Sequence, residues 1–269
     1  MPPMSLTLTR TDILDREALQ QRLASEPRQA ASAVLAAARE GVVPAQTLLG
    51  QLLLDGRGIE RDPALARQWF RIAAAQGDPM AHNMLGRCLE QGWGGEVDLP
   101  GAARAFRQAM EAGLDWGCYN YAHLLAAGRG VAKDPAQALA LYERAAAQGH
   151  AKAMNFAGRF HEEGIGVPAD PERAHAWYRR SAEAGDFRGQ FSHATVLADQ
   201  GDLAGALHWL RLALAGGNLN FLRESRARLA QARHADIRAL ALPYYQRAAE
   251  LGDDSDRQAL EAYQQSSAG

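Results

Sequence analysis

Apolar and polar residues along this chain follow the spacing of short amphipathic helices. In the first clear example, Leu49, Leu52 and Leu53 place apolar side chains on one helical face. A glycine-containing turn follows, and a second run of aromatic and small residues completes a helical pair. The pattern predicts helix–turn–helix units that repeat every 36 residues, at 45–80, 81–116, 117–152 and 153–188, and a fifth unit, 189–221, with four residues fewer in its turn.

The turn between the two predicted helices carries start and stop signals. It reads G-x-G-[IV]-x-x-D-P in three units, from Gly56 to Pro63 in the first of them. The first glycine can adopt the left-handed conformation that ends a helix. Asp62 is a natural N-cap, and Pro63 fits the first position of the next helix. A small residue also recurs inside each first helix, which predicts that two helix backbones touch there: Gly50, Gly86, Ala122, Gly158 and Ala194.

The N-terminal end departs from this period, as the ends of stacked repeats usually do. We expect a flexible segment at 1–10, because it has no helical pattern. Residues 11–44 are predicted to form an N-terminal cap with one helix at 13–24 and a second at 29–40.

The C-terminal end is also irregular. A helix near 221–233 opens a degenerate repeat and cap at 222–265. Pro243 should break or kink the helix that follows, because proline cannot donate a helical hydrogen bond. A last capping helix is predicted at 255–265, and a disordered tail at 266–269.

The repeated pattern resembles the Sel-one-like repeat (SLR) family, a relative of the tetratricopeptide repeats. The similarity covers 45–188 well and 189–221 more weakly, and it rests on the A-x-x-x-L-G opening, the G-x-G turn, the aspartate and the W-[FY]-x-x-A-A-x-x-G ending. It implies an all-α fold: a right-handed α/α superhelical solenoid with degenerate helical caps, whose first helices line the concave face. The second unit departs from the pattern at Gly95, Leu99 and Ala105, which predicts a looser turn.

Composition narrows the function classes. Hydrophobic residues make up 47% of the chain and aromatic residues only 7%, which agrees with an alanine-rich helical core. The net charge of −2 arises from interspersed arginine and acidic residues and does not favour nucleic acid as a partner. No stretch reaches the ~18 apolar residues of a membrane helix, and no secretory signal is visible. We therefore expect a cytoplasmic protein without a membrane partner, and the Ala, Arg and Leu bias suggests a bacterial gene.

The sequence shows no catalytic or metal-ligand constellation. Cys88 and Cys118 are too few for a disulfide framework, and Cys88 falls on an apolar core position where a thiol is inert. Eight histidines are scattered among repeat positions without an H-x-x-x-H pair, so neither a metal nor a cofactor is expected. The G-x-G turns follow helices rather than strands, which argues against a dinucleotide site.

Two positions of each first helix form the predicted binding strip. The third and seventh residues of a unit lie four apart and share one helical face, which the resemblance places on the concave side. Asparagine can pair with an extended peptide backbone, arginine fits a carboxylate, and aromatic rings add stacking area. The predicted partner-binding residues are Gln51, Asn83, Arg87, Trp116, Tyr119, His123, Asn155, Arg159 and Phe191, with Thr47 and Thr195 at the same positions.

An alternative interpretation treats these side chains as an ordinary solvated face. In that case Arg87 and Arg159 are paired with Glu90 and Glu163, and such surface pairs contribute little energy. Trp93 has two interpretations as well: it is an exposed contact, or it folds back onto its own repeat.

Three functions are compatible with these patterns. The first is a non-enzymatic adaptor or scaffold, expected as a monomer, that binds a partner protein or peptide in its concave groove. The second is a structural or regulatory subunit that docks through its convex face or caps to an enzyme or complex. The third is a hydrolase-like enzyme, which would need convergent acid, base and nucleophile groups that the sequence does not show.

Overall fold

Short helices make up the regular structure of residues 16–267, the part of the chain that the computed structural model describes. No strand occurs in this part, so the all-α prediction is confirmed. The chain divides into two compact units, Met1–Leu141 and Tyr142–Gly269. The flexible segment expected at 1–10 and the start of the first predicted capping helix lie outside the described residues.

A capping pair precedes the repeats in the first unit. Its helices, α1 (Arg16–Ser25) and α2 (Pro27–Arg39), correspond to the two helices predicted there. The repeats follow as α3 (Val43–Asp55), α4 (Pro63–Ala75), α5 (Pro79–Gln91), α6 (Leu99–Glu111), α7 (Asp115–Ala127) and α8 (Pro135–Ala147), the last of which crosses into the second unit. Each first helix, α3 or α5, packs against the second helix that follows it, so apolar faces are buried pair by pair.

The second unit continues the same order and ends in shorter elements. Its helices are α9 (Ala151–Glu163), α10 (Pro171–Glu183), α11 (Phe187–Asp199), α12 (Leu203–Gly216), α13 (Leu219–Ala230), α14 (Ala235–Ala239), α15 (Ala241–Leu251) and α16 (Asp254–Ser267). The break predicted at Pro243 is present: α14 stops before Leu240, and Pro243 lies in the first turn of α15, where its missing N–H costs nothing. The helix α16 runs through Ser267, so the prediction of a disordered tail from residue 266 is wrong for its first two residues.

The predicted N-caps form. Asp62, Asp98 and Asp170 each accept the backbone N–H of the residue three positions on, at 2.9, 2.8 and 3.0 Å. The second repeat, 81–116, keeps this cap although Leu99 stands where other repeats have proline. Pro100 takes the next position of the first turn. The first glycine of each turn is left-handed, as expected, at Gly56, Gly92, Gly128 and Gly164.

The glycine inside a first helix lies under an aromatic ring of the second helix. A Cβ atom at Gly86 would come within 2.6 Å of the Phe106 ring, and Phe106 is fully buried. Gly50 lies in the same way beneath Phe70. The expectation that two backbones touch is therefore wrong at Gly50 and Gly86, where a backbone meets a ring, because the large side chain needs a flat surface to pack against.

Candidate functional site

An arginine recurs at the seventh position of alternate first helices. Arg87 on α5 and Arg159 on α9 were predicted, and both are exposed. The structure adds Arg228 on α13, which was not among the predicted residues. If the fifth unit is counted at its shortened length, the next unit begins at residue 222, and Arg228 is its seventh residue. Counting repeat positions from residue 222 would therefore have identified Arg228 from the sequence.

Each of these arginines lies over an aromatic ring. The guanidinium carbon is 4.9 Å from the Trp93 ring centroid for Arg87, and 5.1 Å from the Phe191 centroid for Arg228. The third arginine, Arg159, lies 5.3 Å from the Phe156 centroid. Stacking covers the guanidinium face and leaves its N–H edge available to an acceptor.

Two cavities border these arginines. The first, cavity A, has a volume of about 310 Å³ and lies in the first unit between α3 and α5; its lining includes Gln51, Leu54, Asp55, Met84, Arg87 and Trp93. The second, cavity B, has a volume of about 610 Å³ and lies in the second unit between α11 and α13; its lining includes Phe191, Thr195, Ala198, Asp199, Arg228 and Arg233. Both are large enough to admit side chains of a partner.

Trp93 folds back onto its own repeat. Its side chain is half-buried and packs against the apolar cluster that contains Leu52, Met84 and Cys88. The interpretation of Trp93 as a freely exposed contact is therefore wrong, although one part of the residue still lines cavity A.

Three predicted aromatic side chains meet on α7. The ring centroids of Trp116 and Tyr119 are 5.8 Å apart, and those of Tyr119 and His123 are 4.5 Å apart, both edge to face. Trp116 is 37% exposed, and the other two side chains are half-buried. This row offers a partly apolar surface on the first-helix side of the first unit.

Two predicted strip residues do not face solvent. Asn83 is 3% exposed, and its Oδ1 accepts a hydrogen bond from Asn120 Nδ2 at 2.7 Å. Phe191 is 7% exposed and belongs to an apolar cluster. The expectation that the third position is an open face is thus wrong for both residues, because this position turns toward the neighbouring first helix. Asn155 is half-buried, and its Oδ1 has no hydrogen-bond partner among the described atoms.

Of the two ion pairs expected if the strip is an ordinary solvated face, one is present. Arg159 Nε lies 3.5 Å from Glu163 Oε1, and both side chains are about half exposed. Glu90 instead accepts from Arg129 Nη1 at 2.9 Å, so the expected pair between Arg87 and Glu90 is wrong. Arg87 forms no ion pair with any described residue.

Both cysteines are buried, and neither forms a disulfide. Burial raises the pKa of the Cys88 thiol to about 11, because the thiolate would lose its solvation. The prediction that Cys88 is a core residue is confirmed. Within residues 16–267, no group of three His, Cys, Asp or Glu side chains is arranged to hold a metal ion. In the same range, no helix is both long and apolar enough to cross a lipid bilayer.

Two histidines, His193, which is buried, and His175, which is half-buried, form a pair in the second unit. His175 Nε2 and His193 Nδ1 are 3.1 Å apart, and the His193 ring packs edge-on against Trp209. Burial lowers the pKa of both imidazoles below 6.5, since the charged form loses solvation, and Arg179 lowers both further. The pair is therefore neutral at neutral pH.

We expect mild acid to destabilise the second unit through this pair. Because the folded pKa values lie below the unfolded value, the contribution to the free energy of unfolding is complete above about pH 6.5 and is lost as the pH falls below it. Urea unfolding at pH 7.5 and 5.5 should show a larger loss for the wild type than for the variant His175→Gln, His193→Gln. The pKa of His82 is also lowered, but His82 is present in both proteins, so its contribution cancels in the comparison. Equal losses would contradict the prediction.

Comparison with known families matches the repeats to a family model described as the Sel1 repeat. The matches cover residues 43–78, 79–114, 117–150, 151–186, 198–218 and 236–253. The first four begin within two residues of the predicted units, and the last lies in the region expected to be a degenerate repeat. No curated protein sequence matches the chain.

Three solved structures with the same fold, each from a bacterium, are similar to this chain. A Sel1 repeat protein from Oxalobacter formigenes is 27% identical, with a TM-score of 0.73, and the match covers 90% of this chain and 99% of that one. A protective antigen of uropathogenic Escherichia coli with an SLR fold is 25% identical, with a TM-score of 0.65; the match covers 94% of this chain and 57% of that one. An immunity protein from Pseudomonas aeruginosa is 16% identical, with a TM-score of 0.54, and covers 78% of this chain and 81% of that one.

Proposed function

Because this chain belongs to the Sel1 repeat family, whose members are generally non-enzymatic scaffolds for protein–protein interaction, we propose that it is an adaptor that binds a partner protein or peptide along its first helices. The binding surface consists of the side chains that these helices and their turns present in each unit. The partner is held rather than chemically changed, and no cofactor takes part.

The recurrence of an exposed arginine over an aromatic ring carries this proposal. Arg87, Arg159 and Arg228 occupy the same repeat position, and an isolated solvated arginine has no need of a ring at that position each time. Arginine and aromatic residues are the types enriched where proteins bind one another. Arg87 and Arg228 have no ion-pair partner within the described residues, so their charge is available to an acidic group of a partner.

The Cys88 thiol supports a reducing compartment as part of the proposal. Cys88 is buried and takes part in no disulfide, which is the usual state of a cysteine in a cytoplasm. We propose a cytoplasmic, monomeric protein of bacterial origin, in keeping with the bacterial sources of the similar structures.

The variant Arg87→Glu, Arg159→Glu tests the adaptor proposal. We expect partner capture to fall at least about tenfold, because each reversed charge replaces attraction by repulsion at a binding position. The measurement is affinity purification with quantitative mass spectrometry, followed by the Kd of the recombinant partner. Circular dichroism should show unchanged helicity and melting, since both side chains are exposed.

A matched control places the same charge changes on second helices. Arg71 on α4 and Arg211 on α12 are exposed, and neither forms an ion pair with a described residue. The variant Arg71→Glu, Arg211→Glu should capture the partner normally. Undiminished capture by the first-helix variant would refute the adaptor proposal.

The second helices support a second candidate function. Leu65 and Ile72 on α4 are 38% and 44% exposed and lie on one helical face, and Leu212 on α12 is 40% exposed. Exposed apolar side chains of this size can dock onto a larger complex. A structural or regulatory subunit that docks through this convex side would lose its partner in the Arg71 and Arg211 variant and keep it in the Arg87 and Arg159 variant.

A further inference from the structure

Cavities A and B are built from the same repeat positions. The seventh position of the leading first helix supplies Gln51 in cavity A and Thr195 in cavity B. The eleventh supplies Asp55 and Asp199. The seventh position of the following first helix supplies the stacked arginine in both cavities. Two cavities in separate units therefore share these three positions, although the ring beneath the arginine is Trp93 of the following turn in cavity A and Phe191 of the leading first helix in cavity B.

The cavities combine an apolar surface with an available cation. In cavity A, the apolar part includes Leu54 and Met84, and two arginines, Arg61 and Arg87, line the space. In cavity B, the apolar part includes Ala198, and two arginines, Arg228 and Arg233, line the same space. Neither of these two forms an ion pair with any residue in the range 16–267.

The segment after α13 borders cavity B, and two of its backbone carbonyl groups already accept hydrogen bonds. Arg238 Nη1 donates hydrogen bonds to the carbonyl oxygens of Ala232 and Arg233, at 2.8 and 2.6 Å. These acceptors at the end of α13 are therefore occupied. Asp199 is the single acidic residue of the lining, against Arg228 and Arg233. Charge complementarity thus favours an occupant with an anionic group next to an apolar one.

We propose that cavities A and B each receive an apolar side chain of the partner peptide, with an adjacent Asp or Glu side chain on the stacked arginine. This inference rests on the adaptor function and specifies the chemistry of its partner. The apolar side chain fills the space between successive first helices. The carboxylate accepts from the N–H edge of the guanidinium, which the ring beneath it holds in place.

The duplication of the cavity favours an internal acidic residue over a chain terminus. A polypeptide has one C-terminal carboxylate, whereas a pair of apolar and acidic residues can occur several times in one segment. Two cavities that share these repeat positions in one chain are therefore matched by a repeated side-chain motif.

Peptide titrations followed by NMR test the inference in cavity B. The probes are acetylated, amidated Gly-Ser-Leu-Glu-Ser-Gly and its Leu-Gln counterpart, added to the isotope-labelled full-length chain. We expect the backbone amides of Ala198, Asp199 and Leu229 to shift, and the Leu-Gln peptide to bind about tenfold more weakly, because it cannot form the charged hydrogen bond.

Protein variants complete the test. Arg228→Gln should weaken the Leu-Glu peptide about tenfold and leave the Leu-Gln peptide unchanged, whereas Arg211→Gln, with the same loss of charge on a second helix, should change neither. Equal binding of the two peptides would overturn the inference. Tighter binding of Gly-Ser-Leu with a free terminal carboxylate would also overturn it, because a chain end would then be the occupant.

The outcome can be separated from that of the adaptor proposal. If partner capture depends on Arg87 and Arg159 while the Leu-Glu peptide shifts no cavity residue, the adaptor function stands and the inference on cavity chemistry fails. If the peptide binds with the expected Arg228 dependence but capture is insensitive to the first-helix arginines, the cavity inference stands and the adaptor proposal fails.

Discussion

Asp256→Ala is expected to lower the free energy of unfolding of the second unit by about 3–5 kcal/mol, the usual effect of removing one partner from a buried ion pair. Asp256 lies in the first turn of α16 and is 0% exposed. It accepts from Arg223 Nε at 3.0 Å and from Arg226 Nη1 at 2.9 Å, and both arginines are on α13. Alanine would leave two guanidinium groups without their shared carboxylate and would release the last helix.

The stabilisation by Asp256 and its two arginines should decrease as the pH falls. The hydrogen bonds from Arg223 lower the pKa of the Asp256 carboxyl to about 2, below its ordinary value of 3.8. A group with a lowered folded pKa stabilises the fold above its unfolded pKa and loses that effect as the pH falls. The wild type should therefore lose stability between about pH 4 and pH 2, in a step that the Asp256→Ala variant lacks.

Urea unfolding at pH 7, with hydrogen exchange to locate the affected helices, measures the effect of Asp256→Ala. The matched control is Asp254→Ala, which removes the carboxylate of an exposed pair with Arg257 and should cost less than about 1 kcal/mol. Asp256→Asn keeps the shape and removes the charge. If Asp256→Ala is no more destabilising than Asp254→Ala, the cluster does not hold α16 in place.

The repeats could be predicted because their signals are local. A cap such as Asp62 is followed immediately by Pro63, and both act on the backbone of their own helix. The same holds for the left-handed glycine that ends each first helix. Local rules of this kind place helices within a few residues, and a fixed period then repeats them along the chain.

The orientation of the strip could not be predicted in the same way. Which side of a first helix faces its neighbour depends on how successive pairs rotate, and a repeat period does not specify that rotation. Asn83 and Phe191 were therefore expected on an open face and are buried. The ion pair of Glu90 with Arg129, 39 residues away, is equally non-local and displaced the expected partner at i−3.

Arg228 was missed for a different reason. The fifth unit, 189–221, is three residues shorter than the others, so every later repeat position is shifted by three residues and a constant period of 36 misassigns the sixth unit. The structure restores the register because Arg228 lines a cavity with Thr195 and Asp199, as Arg87 does with Gln51 and Asp55. Insertions and deletions in turns thus limit the prediction of sites more than the prediction of helices.

Gly94→Ala is expected to destabilise the first unit by about 2–5 kcal/mol. Gly94, the second glycine of its turn, has φ +74°, a conformation that costs an L-residue roughly 1–2 kcal/mol. A Cβ atom here would also overlap the carbonyl group of Pro63, at the start of the preceding second helix. Overlap with a backbone that cannot move aside adds about 1–3 kcal/mol. The second glycine therefore joins successive repeats, a role that the sequence pattern did not reveal.

Gly113→Ala separates the two contributions. Gly113 has φ +88°, but a Cβ atom there would meet nothing within 4 Å, so alanine introduces backbone strain without overlap. Urea unfolding of both variants should show a loss of about 1–2 kcal/mol for Gly113→Ala and a further loss for Gly94→Ala. The difference measures how tightly the turn of one repeat is held against the helix of the previous one. Equal losses would mean that the turn moves aside freely, and the stacking of repeats would then depend on the helix faces alone.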